Sequence, residues 1–341
     1  TNKKKPQEQK RGKVAPPCFF RRGRSESSGI MYNVFIDGRE GTTGLQIYDR
    51  LMSRKDLRLL TLPEELRKDT SARKEMIDRA DVVFLCLPDA AAKESVALCG
   101  NPDTKIIDAS TAHRTEPGWA YGFPELSPVF RQAIAAGKRI ANPGCHASGF
   151  ISLVYPLVSA GIVGADYPFV AHSVTGYSGG GKKMIAEYES EGRALELDSP
   201  RQYGLTLRHK HLPEMTKICG LVREPVFNPI VADYYAGMCV TVPLFADLMK
   251  VRLSPASLRD FYRDFYKDAK LISVDGEEHS YLGANNLAGS DRMEIYVGGN
   301  EERLIVCSRF DNLGKGASGA AVQNMNIALG LEETAFLKGI N

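Results

Sequence analysis

Residues 31–51, MYNVFIDGREGTTGLQIYDRL, carry the pattern from which the fold class is predicted. The stretch opens with a short apolar run, Met31–Asp37, which is typical of a buried β-strand. Three glycines spaced GxxGxxG follow, and the pattern then predicts a helix from Thr42 to about Ser53. Such a turn lets the backbone approach a pyrophosphate while the free N–H groups of the helix face the phosphates. The predicted dinucleotide-binding residues are Gly38, Arg39, Gly41, Thr42, Thr43 and Gly44.

The spacing differs from GxGxxG, so an ordinary strand–turn–helix link is the alternative for this motif. Short apolar runs separated by helical patterns nevertheless continue to about residue 145. Strands are predicted at Leu57–Leu62, Asp81–Leu87, Lys105–Asp108 and Arg139–Asn142. This βαβα alternation predicts an α/β fold with a doubly wound parallel sheet and right-handed crossovers.

The pattern changes after about residue 165, where the strands become longer and alternate between apolar and polar residues. They are predicted at Pro168–Thr175, Val226–Tyr235, Gly237–Phe245, Leu271–Val274, Met293–Val297 and Leu304–Phe310. A helix from Ser257 to about Lys267 interrupts them, and residues 312–330 read as a further helix. The second half therefore predicts an α+β domain with a mixed or antiparallel sheet.

The distribution of charge and the cysteine content limit which binding partners and which cellular compartment we expect for the protein. Residues 1–30 carry nine Lys/Arg and two acids, and the other 311 residues have a net charge of −4. We expect a disordered, non-catalytic basic extension; a nucleic-acid-binding arm or a targeting signal is the alternative. The seven cysteines include no CxxC pair, which argues against disulfides and structural zinc. We expect a cytoplasmic protein with no metal.

One uncharged stretch, residues 147–165, raises the question of a membrane span. It contains Pro156 and three glycines, so a buried helix of a globular core is the better interpretation. We therefore expect a small-molecule substrate and neither a nucleic-acid nor a membrane partner.

Cys145 stands apart from the other cysteines. It lies in the turn ANPGCH, residues 141–146, after a predicted strand and before the helical run Ala147–Ser159. A helix N-terminus lowers the pKa of a thiol, and the carboxyl end of a parallel strand is the ligand-binding edge. Cys86, Cys239 and Cys307 instead sit in apolar runs typical of buried structural cysteines. We predict Cys145 as a nucleophile.

The segment RHKHLPE, residues 208–214, concentrates ionisable groups. His209 and His211 could form a metal pair, but no third ligand is evident nearby. The better interpretation is an acid–base group that protonates an oxygen gaining negative charge. A buried structural histidine is the alternative for either one, and the sequence does not separate the two.

A second glycine-rich segment, SVTGYSGGGKK at residues 173–183, is a candidate cradle for a phosphate or acyl oxygen. A flexible linker between domains is the alternative. Arg114, after the strand Lys105–Asp108, could clamp a carboxylate or phosphate. The predicted substrate-binding residues are Arg114, Ser173, Gly176, Tyr177, Ser178 and Glu214.

The choice between NAD and NADP depends on the tip of the second strand. Leu60-Thr61-Leu62 carries no acid there, which leaves room for a 2′-phosphate, and Arg39 can supply positive charge. Glu64 and Glu65 follow closely, and their negative charges weigh against a 2′-phosphate at this position. We predict NADP.

Across residues 31–341 the sequence resembles the N-acetyl-gamma-glutamyl-phosphate reductases of arginine biosynthesis, in their shorter form. The resemblance is carried by DGREGTTGLQIYDRL (37–51), FLCLPDAAAKESV (84–96), DASTAHRT (108–115), WAYGFPEL (119–126), ANPGCHASGF (141–150), SVTGYSGGGKKMIAEYE (173–189), HKHLPEM (209–215) and DNLGKGASGAAVQNMN (311–326). One departure is Thr175, where serine is commoner in the family; the hydroxyl is kept.

The resemblance implies a Rossmann-like domain and a dehydrogenase-type α+β domain. It implies reversible NADPH-dependent reduction of N-acetyl-L-glutamyl 5-phosphate to N-acetyl-L-glutamate 5-semialdehyde and phosphate, through a Cys145 thioester. It also implies that His211 or His209 is the acid–base, with His211 considered first, and that Asn312 and Gly316 lie near the nicotinamide. The alternatives are an aspartyl- or aminoadipyl-type acyl-phosphate reductase, a non-enzymatic NADP-binding protein and a cysteine hydrolase.

We also expect a homo-oligomer, either a dimer or a tetramer. The domain boundaries that we expect are a basic extension in residues 1–30, an NADP-binding domain in residues 31–145 completed by residues 312–341, and a catalytic and dimerisation domain in residues 146–311.

Overall fold

The computed structural model describes Thr1 and residues 31–340. The predicted basic extension therefore lies, apart from its first residue, outside the described residues. The described chain builds two β-sheets, and helices cover the faces of the first sheet and one face of the second. The helices are α1 Thr42–Leu51, α2 Thr70–Arg79, α3 Asp89–Leu98, α4 Pro128–Ala136, α5 Cys145–Ser159, α6 Gly181–Glu189, α7 Leu212–Cys219, α8 Pro255–Phe265 and α9 Gly319–Leu329.

The first sheet is wholly parallel, with strand order β2-β1-β3-β4-β6-β5. Its strands are β1 Tyr32–Asp37, β2 Leu57–Leu60, β3 Val82–Leu85, β4 Lys105–Asp108, β5 Ala120–Tyr121 and β6 Arg139–Ala141. The order reverses between β1 and β3, and a parallel sheet binds ligands at the carboxyl ends of the strands beside such a switch point. The glycine turn after β1 lies at this position.

The first sheet gains part of its core from the far end of the chain. Helix α9 packs Val322 and Met325 against Val34 of β1 and Ile47 of α1. All four side chains are fully buried. The C-terminal segment therefore returns to the sheet that begins the described chain, and it brings the residues just before α9 toward the ligand edge.

The second sheet is mixed, with strand order β11-β12-β13-β10-β7-β9-β8. Its strands are β7 Val170–Gly176, β8 Arg201–Gln202, β9 Val226–Ala232, β10 Met238–Phe245, β11 Ile272–Val274, β12 Met293–Gly299 and β13 Arg303–Phe310. The β7–β9 and β11–β12 pairs are parallel and the other pairs are antiparallel.

Helix α5 lies on one face of this sheet. Its Phe150 and Val154 belong to the same buried cluster as Val240 of β10 and Val306 of β13. Because α5 is enclosed on most sides, its sequence is apolar around nearly the whole circumference. The uncharged stretch is thus a core helix. None of the helices within residues 31–340 combines the length and apolar character needed to cross a bilayer.

The predicted fold class, a doubly wound parallel sheet plus an α+β part with a mixed sheet, is confirmed. Two segments differ from expectation. The predicted glycine loop at residues 173–183 is the end of β7, a 3₁₀ turn at Tyr177–Gly180 and the start of α6. The predicted helix over residues 312–330 begins with a π-helical turn, Gly314–Ser318, before α9.

Candidate active site

The nucleophile predicted at Cys145 is the first residue of α5. The preceding strand, β6, ends at Ala141, and the turn Asn142-Pro143-Gly144 carries the chain into the helix. The N-cap is Gly144, which offers no side-chain cap, so the first N–H groups of α5 remain available to a ligand. The partly exposed thiol lines a cavity of about 310 Å³.

The environment of this thiol differs from the sequence-based expectation. Burial raises the pKa of Cys145, and the positive charge of Arg114, the backbone N–H of His146 and the charge of Lys210 offset this only in part. The prediction that the pKa of Cys145 is lowered at the helix N-terminus is therefore wrong, because desolvation of the thiolate outweighs the lowering effects. A neighbouring base is needed to take the thiol proton.

Three histidines, His146, His209 and His211, line the same cavity as Cys145. His211 is buried, and a β-carbon at Gly144 would lie 2.5 Å from its Nε2 atom, so this imidazole sits directly against the nucleophile turn. His209 lies beside it, with ring centroids 4.8 Å apart. Its Nδ1 accepts the backbone N–H of His211 at 3.2 Å, which leaves the proton of the neutral ring on Nε2.

Both histidines are neutral near pH 7. Burial lowers the pKa of His209 to about 4, helped by the charge of Lys210. Burial also holds the pKa of His211 well below its ordinary value, and Arg114 adds to the effect. A neutral imidazole next to the thiol can accept its proton.

His146, which follows the nucleophile, has a different position. Its Nδ1 lies 2.7 Å from the Ser173 hydroxyl, and its Nε2 lies 2.8 Å from the Tyr203 hydroxyl. Burial lowers its pKa to about 3. Ser173, a predicted substrate-binding residue, is fully buried and lies behind His146 rather than on the cavity wall.

The predicted ligands Arg114 and Glu214 are bonded to each other. Arg114 Nη1 donates to Glu214 Oε1 at 2.7 Å, and the other guanidinium nitrogens donate to the Asn142 carbonyl and to the Ala109 carbonyl. Glu214 is buried, and its Oε2 accepts the backbone N–H of Gly144 at 3.2 Å. Arg114 still lines the cavity, whereas Glu214 supports the nucleophile turn from behind.

The glycine turn after β1 has the shape that a dinucleotide requires. Gly38 has a φ of +87°, and a β-carbon there would lie 2.4 Å from the Cys86 carbonyl oxygen. A β-carbon at Gly44 would lie 2.5 Å from the Gly38 carbonyl oxygen. These contacts leave no space for a side chain, so the turn is pressed tightly against β3 and α1. Gly41 is the N-cap of α1.

A second cavity, of about 240 Å³, opens beside this turn. Gly38, Arg39 and Arg67 line it together with the end of β2 and the two residues after that strand, Leu59, Leu60, Thr61 and Leu62. Arg39 stacks 4.2 Å over the Tyr48 ring. Apolar walls next to arginines suit an adenosine with a phosphate on its ribose.

The remaining predicted residues fall at the junction of the two sheets. Thr43, Gly176, Asn312 and Gly316 line the Cys145 cavity. Asn312 is held in place, because its Nδ2 donates to the Ser178 hydroxyl at 3.0 Å and its Oδ1 accepts the Gly237 N–H.

The other two members of the predicted set lie next to the cavity. Tyr177 does not line it; its ring stacks on Tyr188 at 4.7 Å. Thr42 lies near the start of α6, where a β-carbon at Gly181 would be 4.0 Å from its hydroxyl oxygen.

Sequence reasoning missed Tyr203 and Lys210 as lining residues. Tyr203 follows the two-residue strand β8, and no spacing signal marks it. Lys210 stands between the two predicted histidines, so its proximity to the site was implicit in that segment. Within residues 31–340, no group of three or more His, Cys, Asp or Glu side chains is arranged to hold a metal ion.

Comparison with known proteins places this geometry in a family. Residues 54–135 match the semialdehyde dehydrogenase NAD binding domain, and residues 145–312 match the semialdehyde dehydrogenase dimerisation domain. Aspartate semialdehyde dehydrogenase II from Vibrio cholerae has a TM-score of 0.65 at 15% identity, over 88% of this chain and 98% of that chain. Aspartate semialdehyde dehydrogenase with NADP from Candida albicans has a TM-score of 0.62 at 14% identity, over 87% and 98%. These likenesses agree with the fold described above.

Relatives in sequence are much more similar. N-acetyl-gamma-glutamyl-phosphate reductase 2 of Pseudomonas putida is 46% identical over 87% of this chain and 96% of that protein. N-acetyl-gamma-glutamyl-phosphate reductase of Burkholderia ambifaria is 44% identical over 87% and 96%. The predicted family resemblance and the predicted nicotinamide cofactor are confirmed by these matches and by the NAD binding domain. The chain therefore belongs to the N-acetyl-gamma-glutamyl-phosphate reductase family, oxidoreductases of the semialdehyde dehydrogenase type.

Proposed function

We propose that this protein reduces N-acetyl-L-glutamyl 5-phosphate to N-acetyl-L-glutamate 5-semialdehyde and phosphate with NADPH, reversibly, in arginine biosynthesis. The observation that carries the proposal is the placement of Cys145 at a helix start, in one cavity with His209, His211 and Gly316. The choice of substrate rests on the N-acetyl-gamma-glutamyl-phosphate reductases that are 42–46% identical to this chain.

The Cys145 thiol must lose its proton before it can attack. Because burial raises its pKa, a neutral imidazole of the histidine pair takes that proton. The sulfur then bonds to the acyl carbon, the carbon–oxygen bond to phosphate breaks, and phosphate leaves with the electron pair. The free N–H groups at the start of α5 stabilise the oxyanion.

NADPH, when bound beside the glycine turn, would supply the hydride for the thioester carbonyl. The same histidine pair protonates the oxygen that gains charge, which gives a hemithioacetal. The pair then takes this proton back as the C=O bond forms, the carbon–sulfur bond breaks with its electron pair on sulfur, and the proton returns to sulfur, so that the aldehyde leaves and the Cys145 thiol is restored. We consider His211 first, because its Nε2 sits against Gly144. His209 is the alternative for the proton-donating step, because its hydrogen bond fixes a proton on Nε2.

For the cofactor we propose NADP, with the adenosine in the cavity beside Gly38. The cavity has no acidic side chain at the end of β2, and Arg39 and Arg67 lie at its edge. Glu40 lies between them, with an oxygen 3.1 Å from Arg67 Nη2. Asp37 also lines the cavity, but its carboxylate pairs with Arg73 at 3.1 Å. Arg39 and Arg67 against Glu40 then leave one positive charge for a 2′-phosphate.

For the substrate we propose Arg114 and the 176–180 segment as the binding elements that face the cavity. Ser173, Ser178 and Glu214 support these elements through their hydrogen bonds instead of touching the substrate. Tyr177 has a supporting position on Tyr188.

We further propose a cytoplasmic homo-oligomer, a dimer or a tetramer, with no nucleic-acid partner. Residues 31–145 and 312–341 are proposed as the cofactor-binding domain and residues 146–311 as the catalytic and dimerisation domain. The match of residues 145–312 to a dimerisation domain supports the second assignment.

The decisive experiment follows NADP⁺ reduction by N-acetylglutamate 5-semialdehyde with and without inorganic phosphate. Strict phosphate dependence, and little turnover of aspartate semialdehyde, are expected. Cys145→Ser should lower turnover by on the order of 10³-fold or more while NADPH binding, measured by fluorescence, persists. Cys99→Ser is the control, since that thiol lies at the end of α3 away from the cavity. Substantial turnover by Cys145→Ser would refute the thioester route.

A further inference from the structure

A π-helical turn, Gly314–Ser318, separates β13 from α9 and reaches the nucleophile. A β-carbon at Gly316 would lie only 3.0 Å from the Cys145 β-carbon, so the backbone of the turn packs directly on this residue. π-Helical segments are rare, and they occur often at functional sites. Their wide turns need support from outside the helix.

Lys315, in the middle of this turn, is almost fully buried. Its Nζ donates to Glu125 Oε1 at 2.7 Å and to Gln323 Oε1 at 2.7 Å, and it lies 5.0 Å from the centre of the Phe123 ring. A buried ammonium carries a large desolvation cost and is weak evidence for stability even when it is paired. A charge at this position therefore calls for a role other than simple packing.

The turn is also tied to the nucleophile from its other side. Its Ala317 carbonyl accepts a hydrogen bond from Asn142 Nδ2 at 3.0 Å. Asn142 stands three residues before Cys145, and its Oδ1 accepts from Asn324 of α9 at 3.1 Å. Lys315 thus anchors one side of a short backbone segment, and the nucleophile turn holds the other.

We propose that Lys315 and Glu125 are positioning residues that press the 314–318 turn against Cys145 and so fix the geometry in which the acyl-enzyme is reduced. The inference rests on the proposed function. Neither side chain lines the Cys145 cavity, so each acts through the backbone of the turn.

The network offers an internal control. Gln323 Nε2 donates to Glu333 Oε1 at 2.8 Å, and Glu333 pairs with Arg131 at its outer end. The side chain of Arg131 is 38% exposed and does not line the Cys145 cavity, which makes Arg131→Gln a charge-removing change in the same network but away from that cavity.

The experiment compares Lys315→Met, the double variant Lys315→Met/Glu125→Gln and Arg131→Gln as full-length proteins. The double variant removes both charges, so that Glu125 is not left as an unpaired buried charge, as it is in the single variant. We expect both Lys315 variants to lose about 10- to 100-fold in kcat, because a displacement near 1 Å costs this much, with the KM for NADPH changed less than threefold. The deuterium isotope effect with 4-deuterated NADPH should rise as hydride transfer becomes rate-limiting.

A second readout does not depend on the substrate. Releasing the turn uncovers Cys145, so iodoacetamide should alkylate this thiol at least severalfold faster in the Lys315 variants than in the wild type or Arg131→Gln. Failure of the wild type to reduce N-acetylglutamyl phosphate would refute the proposed function and leave the alkylation comparison intact. Folded Lys315 variants with wild-type kcat and wild-type alkylation would overturn the positioning role, as would an equal loss of kcat in Arg131→Gln.

Discussion

At the scale of single residues, we predict that the arginines beside the glycine turn decide which cofactor the cavity accepts. Arg67 lies at the edge of the adenosine cavity, with its side chain 36% exposed. We predict that Arg67→Ser raises the KM for NADPH by roughly 10- to 100-fold, the effect of losing one or two charge-assisted hydrogen bonds, and leaves the KM for NADH nearly unchanged. The ratio of kcat/KM for the two cofactors measures this effect.

Arg58→Ser is the matched control for the cofactor prediction. Arg58 is an exposed residue of β2 that does not line the cavity, so the change removes the same charge without touching the site. Equal losses with NADPH and NADH in Arg67→Ser, or equal losses in both variants, would contradict a specific 2′-phosphate contact.

The buried histidines make the free energy of unfolding depend on pH, and it decreases as the pH falls. Burial lowers the pKa of His209 to about 4, whereas an unfolded chain gives the ordinary value of 6.5. Between these values the unfolded state binds a proton that the folded state does not, so the free energy of unfolding falls as the pH drops from 6.5 toward 4. His146, whose pKa burial lowers to about 3, acts in the same direction.

We therefore predict that His209→Asn reduces this pH dependence by up to one proton, or about 1.4 kcal/mol per pH unit. Asparagine keeps a hydrogen-bond acceptor for the His211 N–H. Urea unfolding at several pH values between 4 and 7.5 measures the slope. His279→Asn, at a histidine outside the Cys145 cavity, serves as the comparison. An unchanged slope in His209→Asn would show that this imidazole is not buried in its neutral form.

At the scale of elements, sequence pattern predicted the strands of both sheets because their apolar faces are long enough to show a period. Strand β4 was predicted with its observed ends, and β10 was predicted one residue too long at its start. The two-residue strands β5 and β8 were missed, since two residues have no period. Helix α6 was missed because its glycine-rich start reads as a loop.

In the candidate site, too, some features could be predicted from the sequence and others could not. Chain neighbours such as Cys145 and Gly144, or His209 and His211, were predictable because each pair belongs to one motif. The bond between Arg114 and Glu214 was not, since the two residues lie 100 positions apart and meet only when α7 packs near the nucleophile turn. The pKa of Cys145 was mispredicted for a similar reason: desolvation depends on what covers the thiol, and a local pattern does not contain that information.

At the scale of the whole molecule, the second sheet has one face on which no helix of the described chain packs, although residues 279–284 lie against part of it. Along β10 the side chains alternate, with Val240 and Val242 buried beneath α5, while Thr241 and Pro243 face outward and remain partly exposed. Ile305, opposite Pro243 on β13, is 38% exposed. A half-apolar sheet face of this kind is an expected interaction surface. Its strands lie within residues 145–312, which match the dimerisation domain.

We predict that a second copy of the chain packs on this face, so that the protein is at least a dimer in solution. Ile305→Glu places a charge opposite Pro243 and should convert the oligomer toward monomer, because an unpaired charge buried in an interface costs several kcal/mol. Light scattering coupled to size exclusion measures the mass, and the melting temperature of the wild type should rise with concentration. Val129→Glu, on the exposed side of α4, makes the same change away from this sheet and should keep the wild-type mass. A monomeric wild type, or an Ile305→Glu variant with the wild-type mass, would exclude this face as the interface.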